Sequence, residues 1–246
     1  MLNKGNYSQY KSINSIIHNI YSPIKLISII LLMICIIFIK STLDLLILLI
    51  YLSIIILLSK VKLKYYLKNI LQLKTLIIFI IIINLLFKLD FLQILYLILK
   101  IILIITISSI LMFTTKEKDI TYGLEKILTP LKKILPIKEM ALSITMSLQF
   151  IPTILQQSNK VIKAQASRGI DFYHTSIIKK IESIMIMFVP IFVLSLKKAD
   201  NITDIMNIRL YGYYEEKTNY QIKDITILDI VLLLINVIII IIIILL

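Results

Sequence analysis

Blocks of isoleucine and leucine alternate with short lysine-rich breaks along this chain, and the spacing of the breaks predicts membrane-crossing helices. Apolar runs at 26–39, 45–58 and 225–246 approach the roughly 20 residues a helix needs to cross a hydrocarbon layer about 30 Å thick. A shorter run at 76–87 reaches that length only by borrowing residues 70–75 or by sitting in thinned bilayer. A further run, 91–113, is interrupted by Lys100, and about five crossings result. An ionisable group inside a span is a functional pointer by default. The plainer alternative, which the sequence favours, is that 91–99 lies along the outer interface and Lys100 snorkels from the start of a shorter span.

The breaks also orient the spans. Residues 59–74 hold Lys60, Lys62, Lys64, Lys68 and Lys74 and no acid, which places that loop in the cytoplasm under the positive-inside rule. The 40–44 turn then forms the outer tip of a first hairpin, and the N-terminus lies inside, in agreement with Lys4, Lys11 and Lys25. The apolar start at Leu26 comes after a more polar stretch and has no small-residue cleavage site behind it, so it reads as a first span and not as a removable leader.

At Thr114 the pattern changes. Residues 114–224 contain 16 basic and 11 acidic residues, and they read as a cytoplasmic region between a membrane part at 1–113 and a closing transmembrane helix at 225–246. Thr114 and Glu117 have capping-box spacing for a helix start, and Pro130 and Pro136 break that helix. Two long helical patterns come next, near 138–168 and 176–209, each holding one proline, Pro152 or Pro190, that predicts a kink. Their apolar middles, 141–155 and 184–196, are too short to cross and their ends are charged. Such helices fit elements lying in or under the cytoplasmic leaflet, packed on each other and on a partner. Met140, Met146, Met185, Met187 and Met206 suit an adaptable interface or an ordinary core. The fold class is therefore all-α: a polytopic membrane protein with about five transmembrane helices and kinked cytoplasmic helices.

Composition adds little to this and excludes much. Hydrophobic residues make up 59% of the chain, above the roughly 45–50% of soluble domains, although an isoleucine- and lysine-rich bias thickens every apolar run. The net charge of +13 sits beside apolar runs and not on a basic face with stacking aromatics, so nucleic acid is not the expected partner. Cys35, the single cysteine, lies in the first span. His18 and His174 have no companions at metal-ligand spacing. No metal, cofactor or catalytic site is read. Asn84, Lys100, Asp229 and Asn236 are too scattered for paired acid and base work, and Asp229 near a helix start fits a favourable dipole partner. The inverted repeats of a secondary transporter are also missing. A membrane scaffold stays open as an alternative.

Of 27 basic residues only Arg168 and Arg209 are arginine, and each falls at the expected C-terminal end of one long helix. A guanidinium offers a planar fork for carboxylates and carbonyls that an ammonium cannot copy. Each could simply interact with its own helix end, but lysine would serve for that. Gly169 can adopt the left-handed conformation that ends a helix abruptly and presents Arg168. Leu210, next after Arg209, is expected to resist that conformation and to shift the second end to Gly212.

Several segments together resemble a known family: Thr114-Thr115, Pro130-Leu131, Pro136, Ser147-Leu148 with Phe150-Ile151-Pro152, Ala164-Gln165, Arg168-Gly169-Ile170-Asp171-Phe172, Val189-Pro190, Ala199-Asp200, and Arg209 with Tyr211-Gly212. They look like the transmembrane coupling component, or T component, of energy-coupling factor transporters, a group that includes vitamin importers and cobalt and nickel systems. That family carries two Ala-Arg-Gly motifs at the ends of crossed coupling helices. Ser167-Arg168-Gly169 matches the first with serine for alanine, and Ile208-Arg209-Leu210 keeps only the arginine of the second, which implies a second tip that either ends later, at Gly212, or docks less tightly. The resemblance implies that these six residues dock two ABC ATPases, supported by Pro152, Ala164, Asp171, Pro190 and Asp200. It further implies that ATP-driven movement reorients a separate substrate-binding membrane subunit, in a bacterial plasma membrane, with no catalysis by this chain.

Overall fold

The computed structural model describes residues 10–39, 41–86, 90–169, 177–213 and 225–245. Among these residues every regular element is helical, and the chain divides into two compact units. One holds α1 (Ile16–Asn19), α2 (Ser22–Phe38), α3 (Thr42–Ser59), α4 (Leu63–Gln72), α5 (Lys74–Leu86), α6 (Phe91–Thr114), α7 (Glu117–Leu128), a 3-10 turn at Thr129–Lys133 and α10 (Ile227–Leu245). The other holds α8 (Ile137–Ser167) and α9 (Ile177–Ile208).

In the first unit α2 is central: α6, α7 and α10 pack on it, and α3 packs on α6. Leu32, Cys35 and Ile36 of α2, Leu48 and Leu52 of α3, Ile107 of α6 and Ile243 of α10 form its dry interior. The helix ends obey local chemistry. Ser41 and Asp44 close a capping box at the start of α3, and Pro23 occupies the first turn of α2, where its missing N–H costs nothing. Gly123 lets α7 lie close on α2, since a Cβ there would stand 3.3 Å from the backbone of both Ser22 and Pro23.

Among the described residues three helices are long and apolar enough to cross a membrane: Thr42–Ser59, Leu92–Thr114 and Ile227–Ile244. α4 and α5 meet at a 52° bend and together make a fourth candidate, while Ser22–Phe38 is a shorter apolar helix. The expected third span therefore breaks near Leu73; it does not run straight through the borrowed residues.

Several polar groups in this apolar unit are tied to particular partners, as a medium without water favours. Tyr51 donates from its hydroxyl to Asn236 Oδ1 at 2.6 Å, linking α3 to α10, and Asn69 of α4 donates to Ser109 of α6. Lys100 departs from the snorkelling expectation. It lies within an unbroken α6, and its Nζ donates to the Ile39 carbonyl at 2.8 Å; the Tyr96 hydroxyl donates to the same oxygen at 2.6 Å. Both cap the C-terminal end of α2, where the helix dipole favours a cation. Asp229 likewise does more than oppose a dipole. Fully buried, it accepts from the Thr226 N–H and hydroxyl and, across 208 residues of chain, from the Tyr21 N–H at 2.8 Å. It thus pins the start of α10 to the start of α2.

Candidate functional site

The helices carrying the two arginines extend over 31 and 32 residues, within about a residue of the bounds expected from the sequence. Each continues through its proline, Pro152 in α8 and Pro190 in α9. Proline removes one N–H from the i→i−4 ladder, so neighbouring turns hold the helices. Serine and threonine side chains on both helices bond back one turn, for example Ser147 to the Ser143 carbonyl and Ser195 to the Ile191 carbonyl. The two helices meet where Lys198 Nζ sits 5.6 Å from the centre of the Phe150 ring, a cation–π contact. Leu142 and Met146 of α8 then line one cavity of about 300 Å3 with Ile202, Ile205 and Met206 of α9. Residues 142–150 of α8 and 198–206 of α9 thus come together around this zone.

Both arginines stand at helix ends of the same construction. α8 stops at Ser167, and Gly169 lies just beyond with φ +85. The Gly169 N–H donates to the Ala166 carbonyl at 3.0 Å and the Arg168 N–H to the Gln165 carbonyl at 3.1 Å. α9 stops at Ile208, and here the structure corrects the expectation for Leu210. Leu210 itself takes the left-handed conformation, at φ +55, and the chain turns left-handed again at Gly212. The Leu210 N–H donates to the Asn207 carbonyl at 3.0 Å, and the Tyr211 N–H reaches back to the Met206 carbonyl at 2.9 Å. Those two bonds, with a left-handed residue directly after the cap, are the Schellman pattern. Its usual apolar contact between the residue beyond the turn and the last helical turn is present too, because Tyr211, Met206 and Ile205 line the same cavity.

Arg168 and Arg209 therefore both occupy the cap position, each with a left-handed residue after it, and both are exposed. Ser167, Ile208 and Leu210 are exposed with them. The tips differ in their surroundings. Gly169 has open space where a side chain would be, and Arg168 lies some 27 Å of helix beyond Phe150 at about 1.5 Å per residue. Arg209 lines the cavity. The surroundings of Leu142 and Met146 at Arg209 were not visible in the sequence; the methionine pattern, which included Met146 and Met206, was the signal that could have found them.

The supporting residues are distributed along the helices. Pro152 and Pro190 are half-buried, Ala164 and Asp200 are exposed, and Gln165 beside Ala164 is buried. Asp171 lies outside the described residues. Among the described residues no group of three or more His, Cys, Asp or Glu side chains could hold a metal ion. What the tips offer chemically is two rigid cationic forks on exposed helix ends.

Comparison with known proteins bears on both units. The family model for CbiQ, described as cobalt transport protein, matches residues 13–220. A Bacillus subtilis protein named energy-coupling factor transporter transmembrane protein EcfT is 37% identical over 130 residues, covering 52% of this chain and 49% of that protein. In such matches the chain spans about half the length of the relative. Longer matches of the same name come from Ruminiclostridium cellulolyticum, 29% identical over 226 residues and 85% of each chain, and Limosilactobacillus fermentum, 28% identical over 232 residues and 87% of each chain.

Proposed function

The chain belongs to the CbiQ cobalt transport protein family, and from that premise we propose that it is the transmembrane coupling subunit of an energy-coupling factor type ABC importer. Residues 114–224 form its cytoplasmic coupling region, with the N-terminus on the same side. The tips Ser167-Arg168-Gly169 and Ile208-Arg209-Leu210 each dock one of two ABC ATPase subunits. Closure and reopening of the ATPase pair on ATP binding and hydrolysis moves α8 and α9, which reorient a substrate-binding membrane subunit. The cargo class is a vitamin or a transition-metal ion, held by that other subunit. The chain itself catalyses nothing.

One observation carries this reading: the only two arginines of a lysine-rich chain occupy equivalent cap positions, each with a left-handed residue after it. A backbone turned sharply away at the cap leaves the guanidinium at the extremity of the helix, where two hydrogen bonds can form in one plane. The long helix beyond the contact zone gives Arg168 reach to a partner that Arg209 does not contact.

The test replaces both arginines with lysine, keeping charge and losing the fork. Arg168→Lys with Arg209→Lys is expected to insert normally but to lose co-purification with the nucleotide-hydrolysing partners and to lose uptake in cells. Full uptake by the double variant refutes the assignment. Capture of no ATPase by the native chain from its own cells favours a scaffold instead.

A further inference from the structure

We propose that α4 is a binding element for the anionic headgroups of bilayer phospholipids. The inward arc of α4 is fixed to its own unit: Tyr66 is 3% exposed and shares a hydrogen bond with Ser59 at 3.2 Å, Asn69 donates to Ser109, and the Tyr65 ring lies 6.1 Å from that of Phe113. The outward arc is split along its length. At 100° per residue, Leu63, Leu67 and Leu71 form one row, and Lys64 and Lys68 form the row beside it. The leucines are 58–65% exposed, and both lysines are exposed.

A water-facing helix has no use for the leucine row, and a nucleic acid surface would leave it wet. The headgroup boundary accepts both rows, with leucines toward the acyl chains and lysines toward phosphate. The fold supplies the tilt. α5 is apolar, with Leu76, Phe79 and Ile82 exposed as a lipid-facing helix requires, and α4 departs from it by 52°. A helix inclined that far from a spanning one lies toward the plane of the membrane surface.

Charge complementarity selects anionic over zwitterionic lipid. Lys60, Lys62, Lys64, Lys68 and Lys74 are all exposed, and residues 60–74 contain no acid. A cluster of four to eight basic residues on an amphipathic helix is the electrostatic signature of anionic lipid recognition. This inference rests on membrane residence and is independent of whether the arginine tips dock ATPases.

The experiment uses the full chain in nanodiscs of mixed phosphatidylglycerol and phosphatidylcholine, with retained lipid counted by native mass spectrometry after detergent release. The native chain should retain phosphatidylglycerol in preference. Lys64→Gln with Lys68→Gln should weaken that preference about five-fold per lysine, on the order of 25-fold for the pair. Lys64→Arg with Lys68→Arg should keep it, and so should Lys132→Gln with Lys133→Gln in the 3-10 turn. The proposal is overturned if the native chain shows no preference, if the glutamine pair retains it, or if the Lys132 and Lys133 pair loses it equally. Displacement by soluble glycerophosphoglycerol at millimolar concentration would also overturn it, since the ligand would then be a free phosphate ester. Should the glutamine pair fail to fold, salt decides on the native chain alone: the preference must fall between 0.05 and 1 M, as the screening length shrinks to about 3 Å. A preference unchanged at 1 M sinks it.

Discussion

Replacing Leu210 by glycine removes the side chain that a left-handed backbone disfavours and leaves the backbone where it is. Holding a residue with a Cβ at φ +55 costs about 1–2 kcal/mol. Two effects offset the gain. Glycine has more unfolded freedom to lose, about 0.4–1 kcal/mol, and Leu210, at 64% exposure, gives up only a minor share of the roughly 1.5–3 kcal/mol that full burial of a leucine contributes. Against leucine these terms nearly cancel; against Leu210→Ala, which keeps the left-handed strain and has already lost the contact, the glycine turn is more stable by about 0.5–1 kcal/mol. The Tyr211 amide reports it directly, because its bond to the Met206 carbonyl exists only while the turn is closed. Hydrogen exchange at that amide should be roughly two- to five-fold slower in Leu210→Gly than in Leu210→Ala, which trims the side chain but keeps the Cβ, since about 1.4 kcal/mol is a factor of ten. The reciprocal change Gly169→Leu should speed opening at the α8 end. Equal exchange in Leu210→Gly and Leu210→Ala would refute the reasoning, because the left-handed turn would then carry no strain.

Two other outcomes concern the first unit. Asp229→Ala leaves the Tyr21 and Thr226 N–H groups without their acceptor, at about 1–3 kcal/mol for the half-buried Tyr21 amide and less for the exposed Thr226, so thermal unfolding in detergent should drop by a few degrees, and Asp229→Asn, which keeps an acceptor, should lose less; an unchanged midpoint in Asp229→Ala removes the pinning role. His18 lies ahead of the spans, its Nδ1 2.6 Å from Ser15 Oγ and its Nε2 2.9 Å from the Lys11 carbonyl. Burial lowers its pKa below 6.5, the Lys11 carbonyl raises it, and the charge of Lys25 lowers it again. The unfolded chain then takes up the proton first, so stability is complete above about pH 6.5 and declines as pH falls through that value toward the lower folded pKa. His18→Gln should flatten the melting temperature between pH 7.5 and 5, and an unflattened profile points to another group.

Periodicity and punctuation carried the long helices. The breaks at Pro130 and Pro136 and the Arg-Gly pair bracket α8 within about a residue, because helix ends are local events written in local residues. The left-handed turn at Leu210 was hidden for the complementary reason. A propensity argument weighs one residue's backbone cost, whereas the Schellman bonds and the apolar contact of Tyr211 with the last turn of α9 outweigh it together. Lys100 and Asp229 were visible as ionisable groups in apolar surroundings, but their partners lie 61 and 208 residues away, beyond any periodic pattern. The bend near Leu73 was hidden by the isoleucine-rich composition, which lengthens apolar runs whether or not the helix is straight. The opposing surfaces that make the Arg209 cavity belong to two helices, and only their packing reveals it.

The cap on α2 has a consequence for how the chain is made. The Ile39 carbonyl leaves the ribosome 61 residues before Lys100, the residue that completes it, and synthesis at 5–20 residues per second puts about 3–12 seconds between them. Throughout that interval the first hairpin sits in the bilayer with the end of α2 unfinished, waiting for α6. The end of α2 thus gains its side-chain partners only when α6 has been made, so the order of synthesis sets the order in which this cap can close.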